Sequence, residues 1–108
     1  MSMDSVTAAP PAPELLWRPS DELIAEAGIT RYRKWLQQDR GLAFDSYESL
    51  WHWSATEIEA FWESIWDYCS VISHSPYESV LAERRMPGAR WFEGATLNYA
   101  EHCLAYGR

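Results

Sequence analysis

The strongest structural signal in the sequence is SATEIEAFWESIWDYC, residues 54–69. Ser54 and Glu57 have the spacing of a capping box, in which two side chains satisfy free N–H groups at the start of a helix. The apolar residues that follow recur every three or four positions, as on one helix face: Ile58, Phe61, Trp62, Ile65, Trp66 and Cys69. With Tyr68 they span an arc of about 160°, wider than a single contact requires. We predict a helix with a broad aromatic face.

The opposite edge of this helix carries the acidic residues Glu59, Glu63 and Asp67. Like charges four residues apart destabilise a helix by roughly 0.2–0.5 kcal/mol per pair. The simpler interpretation is a solvated face. The alternative is that the stripe meets basic groups, either on a partner or within the chain, where the candidates are Arg84, Arg85 and Arg90.

Three shorter helices are predicted upstream. Ser20 is a good N-cap for a helix over 21–27, which would end at Gly28 as a left-handed residue with Ile29 folding back. Thr30 is expected to cap a second helix that ends at Gly41. Its apolar face contains Tyr32, Trp35 and Leu36.

Asp45 is expected to cap the third helix in the same way. The apolar face of that helix would consist of Tyr47, Leu50 and Trp51.

The pattern loosens beyond residue 71. Ser75-Pro76 predicts a short helix through Leu81, because proline suits the first helical position. Residues 84–94 read as irregular, with 90–92 as the best strand candidate. A last helix is expected around Leu97, Ala100, Glu101 and Leu104, ending at Gly107. We predict a mostly α fold: a small bundle of about five short helices, an irregular C-terminal third and little or no strand.

Length and composition indicate one domain. The chain has 108 residues, and Pro10, Pro11 and Pro13 favour a loose leader over 1–14, followed by one domain over 15–108. Nine basic against 16 acidic residues give a net charge of -7, which disfavours nucleic acid and anionic membranes as partners. The chain carries 7 Trp, 6 Tyr and 3 Phe, more rings than a domain of this size readily buries. Part of this apolar surface is therefore expected to meet another body.

The sequence offers little to a catalytic centre. Gly88 and Gly94 lack the pattern of a phosphate-binding loop, and the single lysine, Lys34, lies in a helical stretch. The soft metal ligands do not have zinc-site spacing, so we expect a buried Cys69 and surface histidines rather than a metal site: Cys69, His74, His102 and Cys103. No hydrolase nucleophile motif is present. We predict no catalytic, cofactor-binding or metal-ligating residue.

Aromatic and basic residues interleave at 31–35, but helical spacing puts Tyr32 and Trp35 on the buried face and the charges in water. This disfavours the alternative of a stacking platform for single-stranded nucleic acid. The N-terminal stretch has no secretory signal, and the two cysteines form no recognisable framework. A reducing, cytoplasmic location is expected.

Five stretches occur in an order that resembles the N-terminal domain of acetoacetyl-CoA synthetases, within the adenylate-forming enzymes. They are WRPS at 17–20, YRKWL at 32–36, FDSYESLWHWS at 44–54, FWESIWDY at 61–68 and MPGARWFEGATLNYAE at 86–101. The last is the most specific, and the resemblance covers about residues 15–105. Two residues depart from the family pattern: Glu93 stands where proline is common, and His102 where asparagine is common.

The resemblance implies an AMP-forming ligase that joins acetoacetate to CoA at the expense of ATP, with Mg²⁺. In such enzymes the ATP-binding motifs and the catalytic lysine lie in an AMP-binding domain and a C-terminal domain, and none of these motifs matches this chain. We therefore expect an N-terminal piece that is inactive alone and packs on the AMP-binding domain through its aromatic face. The alternative is a stand-alone helical interaction module derived from that domain.

Overall fold

The computed structural model describes residues 9–106 and, over them, confirms a mostly α fold. Residues 9–20 contain no helix or strand, while residues 1–8 of the expected leader lie outside the described part. Five helices and one two-stranded antiparallel sheet follow in chain order. They are α1 (Asp21–Glu26), α2 (Gly28–Arg40), α3 (Tyr47–Thr56), α4 (Ile58–Tyr68), β1 (Ser79–Glu83), β2 (Arg90–Glu93) and α5 (Tyr99–Tyr106).

The junction between α1 and α2 differs from the prediction. Ser20 does cap α1, accepting the Leu23 N–H at 3.3 Å. The helix ends at Glu26, however, because its C-cap Ala27 is extended (φ -61°, ψ 144°), and Gly28 begins α2. Thr30 lies inside α2, and its hydroxyl donates to the Ile24 carbonyl at 2.5 Å. Thr30 therefore satisfies the end of α1 rather than the start of α2, so no left-handed glycine is needed there.

The next two helix starts are also set by residues other than those predicted. Gly41 ends α2 in the left-handed conformation (φ 66°), as predicted. Ser46, not Asp45, caps α3, because Ser46 and Ser49 form a reciprocal capping box with bonds of 3.1 and 3.2 Å. The predicted box at Ser54 and Glu57 is wrong. Ser54 belongs to α3, where its hydroxyl donates to the Trp51 carbonyl at 2.7 Å.

The helical core is small and lies between α2, α3 and α4. Tyr32, Leu36 and Leu50 are its buried hydrophobic residues. The Ser64 hydroxyl donates to the Phe61 carbonyl at 2.6 Å, so its single hydrogen is engaged. The Tyr32 hydroxyl must then donate to Ser64 Oγ, 2.5 Å away. Burial raises the pKa of Tyr32, and the hydrogen bond to Ser64 offsets part of that rise.

A β-hairpin replaces the short helix predicted from Ser75 to Leu81. β1 pairs with β2 in the register Ser79↔Glu93, Leu81↔Trp91 and Glu83↔Arg90, with an irregularity between the last two pairs. This confirms the strand predicted at 90–92. Proline permits a helix start but does not enforce one, and the tertiary contacts of Tyr77 with Trp66 and Phe92 favour the extended form.

Candidate docking surface

α4 divides its apolar face between two neighbours. Phe61, Ile65 and Tyr68 pack against the helical core. On the other flank, Trp66 stacks on Phe92 of the hairpin, with ring centroids 4.5 Å apart. The broad arc seen in the sequence thus serves two contacts within the chain, and the most exposed rings lie beside it rather than on it.

Much apolar surface stays uncovered in this chain. Among the described residues only four hydrophobic side chains are buried: Tyr32, Leu36, Leu50 and Val80. Fifteen large hydrophobic side chains between Leu15 and Tyr106 are exposed. The described part of the chain therefore leaves much of its apolar surface outside its own core.

The exposed rings include four of the seven tryptophans. Their exposed fractions are 72% for Trp17, 59% for Trp51, 42% for Trp91 and 40% for Trp62. The other three are half-buried: Trp35, Trp53 and Trp66. Exposed aromatic rings at this density are typical of protein contact sites.

One exposed groove lies where α3 meets α2 and α4. It has a volume of about 220 Å³ and an almost entirely apolar lining that includes Ile29, Tyr47, Leu50 and Trp51. Of the three residues predicted on the apolar face of α3, Leu50 is buried, but Tyr47 and Trp51 are 63% and 59% exposed. The ring that contacts the core instead is Trp53, packed on Phe44 and Phe61.

A larger cavity, about 680 Å³, lies beside α5 and is lined by Ile72, Asn98, Ala100, Glu101, Leu104 and Ala105. No residue of α5 is buried. The helix is held by polar contacts: His102 Nε2 accepts the Ile72 N–H at 3.0 Å, and the Tyr106 hydroxyl donates to the Cys69 carbonyl at 2.5 Å. Its predicted end at Gly107 lies outside the described residues.

The acidic stripe does not meet the basic residues suggested within the chain. Asp67 pairs with Arg40 of α2. Arg85 pairs with Glu83 and Arg90 with Glu93, both inside the hairpin, while Arg84 forms no ion pair within residues 9–106. Glu59 and Glu63 likewise have no basic partner in that range.

The residues considered as metal ligands are dispersed. Cys69 is exposed, contrary to the prediction, and so is Cys103. His74 Nε2 lies 2.6 Å from Glu101 Oε2, and His102 is half-buried against Ile72. Within residues 9–106, no group of three or more His, Cys, Asp or Glu side chains is placed to hold an ion.

The residues considered for a phosphate-binding loop also lie in separate parts of the structure. Lys34 is exposed on α2, while Gly88 and Gly94 precede and follow β2. Among the helices of the described part, none has the length and apolar character needed to cross a membrane.

Comparison with known proteins places the chain in a family. Residues 47–103, which are more than half of it, match the family model described as acetyl-coenzyme A synthetase N-terminus. The chain belongs to this family. Within it, the resemblance to the N-terminal domain of acetoacetyl-CoA synthetases is confirmed by the relatives.

Three similar proteins illustrate the match to this acetyl-coenzyme A synthetase N-terminal domain. The acetoacetyl-coenzyme A synthetase of Rhizobium meliloti is 34% identical over 82% of this chain and 14% of its own length. Malonamoyl-CoA synthetase vrtB of Penicillium aethiopicum is 33% identical over 88% of this chain and 13% of its own length. The structure of acetoacetyl-CoA synthetase from Streptomyces lividans is 45% identical with a TM-score of 0.80, covering 88% of this chain and 15% of that one.

The chain thus spans about one seventh of the length of the curated relatives it matches. The two residues that depart from the family pattern are both engaged in the structure of this N-terminal domain. The Glu93 carboxylate pairs with Arg90, and the Glu93 carbonyl accepts the Glu78 N–H at 2.7 Å. His102 bonds the Ile72 backbone.

Proposed function

We propose that this chain is the N-terminal, non-catalytic part of an acetoacetate-CoA ligase and that it packs on the AMP-binding domain of the same enzyme. The observation that carries the proposal is the uncovered apolar surface of a chain with four buried hydrophobic residues among those described. Its relatives named as acetoacetyl-CoA synthetases are about seven times longer, which supports a covering body within the same polypeptide.

The proposed overall reaction converts ATP, acetoacetate and CoA to acetoacetyl-CoA, AMP and diphosphate, with Mg²⁺. In this proposal the groups that bind ATP, Mg²⁺ and CoA belong to the other domains, because the sequence carries none of their motifs. A cytoplasmic location is part of the proposal and is supported by the two free, exposed thiols of Cys69 and Cys103.

The role of the chain in this ligase is to supply a docking surface. Tyr47 and Trp51 project from α3 beside the apolar groove and are more than half exposed. Tryptophan and tyrosine are the residues that most often anchor interfaces, because each buries a large area at a low entropic cost. Inserting these rings into a partner would remove water from the groove, which an isolated helical bundle cannot do.

The proposal is tested with a chimera, in which this chain replaces the matching segment of the Streptomyces lividans acetoacetyl-CoA synthetase. We expect the chimera to form AMP in a reaction that requires both acetoacetate and CoA, and the 108-residue chain alone to form none. Turnover by the chain alone would overturn its non-catalytic role. A chimera that expresses well but neither gains stability from this segment nor turns over would overturn the packing role and favour a stand-alone module.

A matched pair of measurements isolates the docking surface. In the chimera, Trp51→Ser is expected to lower the melting temperature, because it deletes a buried anchor. In the 108-residue chain the same change is expected to have little effect, since the ring is 59% exposed there. Equal effects in both proteins would contradict docking through Trp51.

A further inference from the structure

Two tryptophans from different elements meet at the surface on the hairpin side of α4. Trp62 of α4 and Trp91 of β2 have ring centroids 5.8 Å apart and an interplanar angle of 67°. Together with Phe92 they line an open hollow of about 220 Å³, and the two indoles remain 40% and 42% exposed. The faces of these rings carry the negative part of the aromatic quadrupole, so the hollow favours a cation.

Two carboxylates lie on the same part of the α4 surface as Trp62. Glu59, Trp62, Glu63 and Trp66 stand at i, i+3, i+4 and i+7, so they form one strip along α4, here called the indole-acid strip. Glu59 is exposed and Glu63 half-buried, and neither has a basic partner within residues 9–106. Asp67, one turn beyond Glu63, is already neutralised by Arg40. Glu59 is therefore one helical turn from the exposed Trp62, and Glu63 is one turn from Trp66.

Tyr77, shortly before β1, packs on Trp66 and Phe92. Desolvation raises the pKa of Tyr77, the negative charges of Glu63 and Asp67 add to the rise, and the positive charge of Arg40 opposes it. The groove beside Trp51 has no such charge, since its lining residues are all uncharged.

We propose that the hollow at Trp62 and Trp91 is the seat of an arginine-bearing segment of the AMP-binding domain. A guanidinium group stacks on an indole and donates to carboxylates at the same time, a combination that a lysine ammonium matches less well. Of the chain's own candidates, Arg85 and Arg90 pair within the hairpin, while Arg84 lines a separate cavity with Glu59 but forms no ion pair with it. The proposal rests on the proposed function and adds the chemistry by which one part of the surface is recognised.

The test uses thermal melts of the same full-length chimera at low and high salt. Glu59→Gln with Glu63→Gln is expected to lower the melting temperature of the chimera by at least about 2 °C in 50 mM NaCl. At 1 M NaCl, where the Debye length falls to about 3 Å, the difference is expected to shrink. In the 108-residue chain the same double change is expected to leave the melting temperature unchanged or raised, since it removes a repulsion.

The control removes two charges outside the strip, by Glu14→Gln with Asp39→Asn, and is expected not to distinguish the chimera from the isolated chain. Trp62→Leu keeps apolar volume but loses the ring face, and is expected to destabilise the chimera more than the isolated chain.

An active chimera in which the Glu59 and Glu63 double variant behaves like the control would overturn this inference and leave the proposed function standing. A loss of equal size at both salt concentrations would also overturn it. An unmodified chimera that neither assembles nor turns over would overturn both.

Discussion

The buried hydroxyl pair of Tyr32 and Ser64 ties α2 to α4 at the residue scale. Leu36 and Leu50 beside it follow the apolar periodicity of the sequence, but Ser64 lies among apolar positions of α4 without any periodic signal. Its burial follows from its neighbours, because its hydroxyl donates to Phe61 while Tyr32 donates to it. The burial of Ser64 could therefore not be predicted from the periodicity of α4 alone, because it depends on the contact with Tyr32 of α2.

Tyr32→Phe is expected to reduce the free energy of unfolding by about 1 kcal/mol at neutral pH, because it deletes one buried hydrogen bond while Ser64 keeps its own. Burial raises the pKa of Tyr32 in the folded state, so its stabilising contribution is complete below the unfolded pKa of about 10 and is lost as the pH rises through the folded pKa. Urea unfolding of the parent and of Tyr32→Phe between pH 7 and 11 measures this pH dependence of the free energy of unfolding. A variant that loses stability above pH 10 as steeply as the parent would contradict the assignment.

Replacing Gly28 or Gly94 with alanine is expected to change the stability of the chain in opposite directions. At Gly28, which begins α2, an added methyl group would meet no neighbouring atom within 4 Å, so Gly28→Ala is expected to stabilise the chain by up to about 1 kcal/mol. Gly94 has φ +90°, and a Cβ there would lie 3.3 Å from the Pro76 carbonyl oxygen, so Gly94→Ala is expected to cost about 1–3 kcal/mol. Melting temperatures of the two variants, each compared with that of the parent chain, check both expectations. A destabilising Gly28→Ala would restore the left-handed C-cap that the sequence suggested.

At the element scale, helix existence was more predictable than helix ends. The faces of α2 and α4 follow from their apolar spacing, but three of the starts differ from the prediction, and α2 and α4 begin after Ala27 and Glu57 without any side-chain cap. Ser46 takes the role predicted for Asp45 because Ser49 can bond back to it, and Thr30 serves the preceding helix. The hairpin was missed because Pro76 and the apolar residues after it suit a helix start locally, whereas Trp66 and Phe92 hold Tyr77 in an extended segment.

α5 is expected to be less protected than α2, the longest helix of the described chain. It has eight residues and buries none of them, and an isolated helix of this length is marginal in water. In hydrogen exchange its amides are expected to exchange faster than those of α2, and His102→Ala to accelerate them further without changing α2. His52→Ala, on the exposed surface of α3, is the control. Protection of α5 equal to that of α2 would show that its polar contacts suffice.

At the scale of the whole molecule, the aromatic excess of the sequence corresponds to rings that the described chain leaves exposed. None of the seven tryptophans is buried, and four of them are at least 40% exposed. The sequence indicated that a surface was left over, but it placed that surface on α4. The hairpin covers part of α4, and apart from Trp62 of that helix the surplus lies on the N-terminal stretch, α3, α5 and the rim of the hairpin.

Hydroxyl-radical footprinting, read out by mass spectrometry, tests whether the AMP-binding domain covers this surface. Oxidation rates of Trp51, Trp62 and Trp91 are compared between the 108-residue chain and the chimera, with buried Tyr32 as the internal reference. We predict that the three tryptophans become several-fold less reactive in the chimera while Tyr32 stays protected in both proteins. Unchanged tryptophan rates in an active chimera would contradict it.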